Sequence, residues 1–156
     1  FSKDKSPYKT NAGASFPWIG NGGGVGGYFH LEPGAIFVGG GMWHPSPARL
    51  AAWRNAVVED RVGVHAVLDD PSFRAAFGTV EGDRLKRGPT GYPPDDPDLE
   101  LLKLKDVVFS RSLSDADVQA ANLPATIAEA LGPAVPVLRL LAGLAGHESP
   151  AGWLRD

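Results

Sequence analysis

The chain predicts an α+β fold: a small antiparallel sheet containing a β-hairpin, packed against several helices, with long Gly/Pro-rich loops. Three observations carry this reading. Residues 28–38 form two β-rich runs about a Pro-Gly pair. Residues 46–77 twice show a capping side chain followed by proline and then apolar residues at helical spacing. Finally, 20 Gly and 14 Pro among 156 residues require many turns.

Taken in order, residues 12–27 include Asn21-Gly22-Gly23-Gly24-Val25-Gly26-Gly27, a run too flexible for a regular element, and are read as a surface loop. Tyr28-Phe29-His30-Leu31-Glu32 alternates, so Phe29 and Leu31 face a core while Tyr28, His30 and Glu32 share the other side of a strand. Pro33-Gly34 fits the middle of a type II turn into Ala35-Ile36-Phe37-Val38, completing the hairpin. Ser46 caps and Pro47 opens a helix carrying Leu50, Trp53 and Val57 to about Asp60. A short helix over 61–68 follows, then one capped by Asp70, opened by Pro71 and ended by Gly78.

Residues 79–98 are charged and rich in Pro and Gly, and read as an excursion over the surface. A short helix through Leu99, Leu101 and Leu102 leads to a third strand at 106–111. Ser114 with Asp117 forms a capping arrangement, and Asn122 with Pro124 opens a last long helical segment that Pro133 and Pro136 split or kink. From 137 to 144 the apolar residues wrap several faces, which calls for a partner surface. The four tryptophans read as packing groups, with Trp18, beside the glycine loop, the one attractive ligand platform.

Bulk properties bound the function. The length fits a single domain over 1–156, able to bury roughly two-thirds of its unfolded surface. A net charge of -3 argues against non-specific nucleic-acid binding, so any basic site is local. With no cysteine there is no thiol chemistry and no sulfur-ligated metal, which suits a reducing cytosol. The most apolar stretch, 136–145, is interrupted by Arg139 and falls short of the roughly twenty residues of a membrane span. The chain opens on Phe1 without a signal-peptide pattern, which points to a portion upstream of it.

The first eleven residues gather Lys3, Lys5 and Lys9 with Tyr8, Thr10 and Asn11 around Pro7, a set of donors suited to phosphate or carboxylate. Lys5, Tyr8, Lys9 and Asn11 are therefore candidate ligand-binding residues. His30 and Glu32, two apart on one strand face, are the candidate catalytic pair for general acid/base work. Arg111, in register with Val107 and Phe109, is a further candidate for the ligand or for an internal ion pair. Lys86, Arg87, Lys103 and Lys105 are cations that could converge with Lys5. No metal site is expected, because His44, His65 and His147 lie at no spacing that supplies a third ligand. Gly22–Gly27 matches G-x-G-x-x-G in letters, but a strand follows it where dinucleotide binding needs a helix. Gly39-Gly40-Gly41, after a strand, is a better place for backbone amides to meet an anion, or for close packing by Trp43.

The motifs Phe1-x-x-x-Lys5-x-Pro7-Tyr8-Lys9, Tyr28-x-His30-Leu31-Glu32-Pro33-Gly34, Gly39-Gly40-Gly41-Met42-Trp43, Leu85-Lys86-Arg87 and Leu102-Lys103-Leu104-Lys105 occur in this order. Together they resemble a bacterial family, domain of unknown function 2461, from Phe1 to about Leu141. The resemblance implies a longer protein with a helical N-terminal part and arginines before the first motif, so the chain is expected to be the family's C-terminal portion. It implies no assigned activity. The glycine run after Asn21 and the two prolines near the C-terminal end depart from the family pattern.

The resulting expectation is a cytoplasmic domain that binds a small anionic ligand, such as a phosphorylated metabolite, without a cofactor. In an enzyme version His30 or Glu32 moves a proton while the lysines stabilise negative charge. The competing expectation is a non-enzymatic interaction or structural module, motivated by the apolar segment 137–144, which would form a homo-oligomer or contact the upstream portion. Membrane contact is not expected.

Overall fold

Four antiparallel strands, β1 (Ala12–Pro17), β2 (Val25–Glu32), β3 (Ala35–Met42) and β4 (Val107–Ser112), stand side by side in chain order in the computed structural model, which describes residues 10–18 and 24–144. The hairpin is as the alternation requires: Phe29 pairs with Val38 and His30 with Phe37 across the turn, where Gly34 takes φ of 80° as a type II turn demands. The expected loop over 12–27 is corrected at both ends. Residues 12–17 form the edge strand β1, and β2 begins at Val25. Strand identity here comes from pairing, since Gly13 lies opposite His30 and Phe16 opposite Gly27 along six residues with little β propensity of their own.

Gly39, Gly40 and Gly41 also lie inside a strand. A Cβ on Gly39 would come within 2.5 Å of the Phe109 carbonyl oxygen, and one on Gly40 within 2.6 Å of the Gly26 carbonyl oxygen. The run is therefore a close approach between strands, and its backbone is paired within the sheet. Trp43, expected to pack there, is 66% exposed. The next residue, His44, turns the chain with φ of 46° while its N–H donates to the buried Asp106 Oδ1 at 2.7 Å.

Helices cover one face of the sheet. They are α1 (Pro47–Glu59), α2 (Arg61–Leu68), α3 (Pro71–Phe77), α4 (Leu99–Leu102), α5 (Asp115–Val118), α6 (Leu123–Leu131) and α7 (Val135–Gly143), the last two joined by the 3-10 turn Gly132–Ala134. Their starts follow local chemistry. Ser46 Oγ accepts from Arg49 N at 3.3 Å, Asp70 Oδ1 from Ser72 N at 2.9 Å, and Asn122 Oδ1 from Ala125 N at 3.3 Å. Ser114 and Asp117 form a reciprocal capping box.

The core joins Phe29, Val38, Met42, Val107 and Phe109 of the sheet to Trp53, Val57, Val64, Phe73 and Phe77 of the helices. Trp53 is fully buried and its indole N–H donates to the Leu101 carbonyl at 3.1 Å, which ties α1 to α4. Burial on that scale is worth about 3–5 kcal/mol if truncated to alanine.

Part of the apolar stretch expected to need a partner is covered within the chain. Val137, Leu138 and Leu141 are buried among the core residues, and α7 lies against β2 and β3. Residues Leu123–Gly143, 21 in all, are long and apolar enough by length and composition to cross a membrane, more than the 136–145 stretch alone implied. In this fold Ile127, Ala130 and Ala134 of that run also line the core. Residues 79–98 run outside the helices and are tied down: Glu81 and Val108 exchange backbone hydrogen bonds at 2.7 and 2.9 Å, and Val80 and Asp98 are buried.

Candidate functional site

Alternation along β2 sends Val25, Phe29 and Leu31 to the helical side and leaves Tyr28, His30 and Glu32 on the other. Across the strands this second face holds Gly13 and Ser15 of β1, Phe37 and Gly39 of β3, and Ser110 and Ser112 of β4. Most of these are small, so the three functional side chains of β2 and the Phe37 ring are its largest features.

These side chains form a line. The Tyr28 hydroxyl lies 3.2 Å from His30 Nδ1, His30 Nε2 lies 3.2 Å from Glu32 Oε2, and Thr10 Oγ1 donates to Glu32 Oε1 at 3.4 Å. The His30 ring stacks on Phe37 with centroids 4.8 Å apart and planes 19° apart, as directly opposed residues on neighbouring strands allow. Tyr28 leans over Gly13, where an added Cβ would lie 2.5 Å from the hydroxyl. Side-chain exposure falls from 36% at Glu32 to 15% at His30, so the imidazole is held between its partners rather than free in water.

A second polar cluster lies on the helical layer. His65 of α2 places Nδ1 2.9 Å from Asp69 and Nε2 2.7 Å from Asp98. Arg61 donates from one amino group to both Asp96 oxygens at 2.9 Å and pairs through Nε with Asp98, while Arg74 donates to Asp69 at 2.6 Å. Hydrogen bonds to Asp69 and then Asp98 raise the His65 pKa, and those from His65 and then Arg74 lower that of Asp69. Every charge here has an opposite partner, and the cluster clamps α2 to the approach to α4.

The geometry separates the expected site residues. His30 and Glu32 come together as anticipated. Asn11 is exposed, one residue before β1. Lys5, Tyr8 and Lys9 lie outside the described residues, as does Trp153. Arg111 is paired with Val38, which is paired with Phe29, so it belongs to the helical side of the sheet, opposite to His30. The shared pocket for His30 and Arg111 is thereby corrected: strand register puts the sheet between them. Arg111 instead lends its positive charge to Asp117, whose pKa is lowered first by the Ser114 N–H and then by the Ser114 hydroxyl.

Of the other basic residues, Lys103, Arg84 and Lys105 each face a nearby carboxylate, while Lys5 lies outside the described residues. Lys103 donates to Glu100 at 2.9 Å and lowers its pKa, Arg84 approaches Glu100 to 3.6 Å, and Lys105 pairs with Asp83 at 3.7 Å. Trp18 packs against the core instead of standing free as a ligand platform. Among the described residues no group of three or more His, Asp or Glu is arranged to hold a metal ion.

A family model described as "Conserved hypothetical protein (DUF2461)" matches residues 1–139. The chain belongs to this family. The match takes in nearly the whole chain, so the expectation that it represents only the family's C-terminal portion is not borne out. No curated protein and no solved structure matches it.

In this DUF2461 chain the residues that sequence reasoning underused are Tyr28, Thr10 and Phe37. Tyr28 was placed on the correct face by alternation, but its hydrogen bond to His30 depends on side-chain direction. Phe37 could be brought to His30 by counting outward from the Pro33-Gly34 turn, because a two-residue turn fixes the pairing of a hairpin.

Proposed function

We propose that the chain binds a small anionic ligand, such as a phosphorylated metabolite, on the open face of its sheet. The observation that carries this reading is the continuous line Tyr28, His30, Glu32 and Thr10, whose Tyr28 hydroxyl is left to meet a ligand. Tyr28 and Asn11 supply neutral donors, and Lys5 and Lys9, together with Tyr8, supply charge and further hydrogen bonds from the preceding residues. Glu32 orients the imidazole, so that the ligand lies at the Tyr28 end, away from the carboxylate. A soluble ligand of this kind fits a bacterial cytoplasmic protein, the setting in which we place it. The competing reading, a non-enzymatic interaction or structural module, rests on the apolar segment 137–144, of which Val137, Leu138 and Leu141 are buried in the core and Leu140 and Leu144 are half-buried.

The test is a titration of the full chain with inorganic phosphate and then pyrophosphate, followed by amide NMR. Saturable shifts over residues 10–15 and 28–32 are expected. The double variant Lys5→Ala, Lys9→Ala should weaken binding about tenfold, corresponding to about 1.4 kcal/mol. Absence of saturable shifts, or unchanged affinity in the double variant, overturns the reading.

A further inference from the structure

We propose that Tyr28, His30 and Glu32 form a proton relay with the Tyr28 hydroxyl as its ligand-facing end; this deepens the anion-binding reading and rests on it for the ligand's position. The two partners of His30 use different ring nitrogens. A Glu32 carboxylate can only accept, so the ring proton belongs on Nε2, and the lone pair of Nδ1 is left to accept from the Tyr28 hydroxyl. Stacking on Phe37 of β3 and the contact of Thr10, just before β1, to Glu32 hold this arrangement from either side. Gly13 leaves the space in which the phenol lies.

The arrangement follows the logic of an orienting carboxylate, a base and a reacting hydroxyl, assembled on one strand and its neighbours. In the forward step a ligand O–H or N–H bond breaks and its proton bonds to Tyr28 Oη, while the original phenolic proton passes to His30 Nδ1. The ligand leaves as its conjugate base, and the imidazolium formed is held by Glu32. The reverse step restores every proton. The reaction class is proton transfer to or from the bound anion, which simple anion binding does not require.

Tyr92 is an internal control, because its hydroxyl donates to the neutral Asn55 amide at 2.8 Å and, among the described residues, is hydrogen-bonded to no histidine or carboxylate. N-acetylimidazole acetylates phenol oxygens: the Tyr28 O–C bond forms, the acetyl C–N bond breaks, and the phenolic proton passes by way of His30 to the departing imidazole. Tyr28 should react about tenfold faster than Tyr92 in the full chain, within the range of base assistance. The rate should drop to that of Tyr92 in Glu32→Gln and in His30→Ala. Histidine nitrogen NMR of the unaltered chain should show the proton on Nε2, a readout that needs no variant to fold.

Equal rates at Tyr28 and Tyr92, a Glu32→Gln rate like that of the parent, or a proton resident on Nδ1 would overturn the relay. Inorganic phosphate should slow Tyr28 acetylation. Rates that fall in Glu32→Gln but ignore phosphate support the relay and overturn the anion reading, which keeps the two failures apart.

Discussion

His65 on the helical layer meets a carboxylate at each ring nitrogen, whereas His30 on the open sheet face meets a carboxylate at one and a phenol at the other. Around His65, Arg61 and Arg74 face Asp69, Asp96 and Asp98, so the protonated ring completes a balanced cluster. Around His30, Glu32 is the one ionic partner among the described residues, and the chain of hydrogen bonds ends on a hydroxyl that is still able to meet another molecule. The contrast teaches that a perturbed titrating group is not by itself a working site. Saturation with fixed partners makes one cluster a clamp, and an unfinished end makes the other a candidate for chemistry.

The comparison breaks first if Asp98 is removed without consequence. Asp98→Ala leaves Arg61 and His65 facing a buried position without their shared carboxylate, and should cost about 2 kcal/mol, less than a fully buried pair because both cations are partly exposed. Urea unfolding measures it, and a change near zero would deny the clamp.

The second effect is a pH dependence. A raised His65 pKa means that the folded chain holds the proton more tightly, so this stabilisation is full below the ordinary value of 6.5 and is lost as pH rises through the higher folded value. Asp69 works in the other sense: its lowered pKa contributes above 3.8 and is lost as acid titrates it. The melting-temperature gap between the parent and His65→Gln should therefore be widest between these limits and close in alkaline solution. A gap independent of pH would remove His65 from the clamp.

Smaller still, Tyr28→Phe and Glu32→Gln should each change stability by less than about 1 kcal/mol, since their bonds are long and partly exposed. A larger loss in urea would make the line structural after all. The smallest effect is that of Gly13→Ala, about half a kcal/mol in either direction, but the new methyl should push the Tyr28 hydroxyl off His30. Nitrogen NMR should then show His30 Nδ1 without its donor, and an unmoved signal would separate Gly13 from the line.

Much of this fold is legible locally. Ser46 with Pro47, Asp70 with Pro71, and Ser114 with Asp117 state where helices start because each cap is made within three residues. The hairpin is legible because Pro33-Gly34 and the alternation before it agree. β1 was not, since Ala12, Gly13, Ala14 and Ser15 gain strand geometry only from β2. The pairing of His30 with Glu32 follows from period two. The opposite siding of His30 and Arg111 does not, because it depends on register across β3, set by contacts far apart in sequence. For the same reason the i+4 spacing of His65 and Asp69 can be counted along the chain, whereas the pairing of His65 with Asp98, 33 residues away, cannot.

The borders of the sheet carry one more consequence. On one side Glu81 occupies backbone groups of Val108 that a foreign strand would seek, and on the other β1 is short and ends in Pro17, which has no N–H to offer. Copies of this protein are thus poorly equipped to zip together border to border. Its concentrated solutions should resist fibre growth, and a residue with a free N–H in place of Pro17 is the change that would invite it.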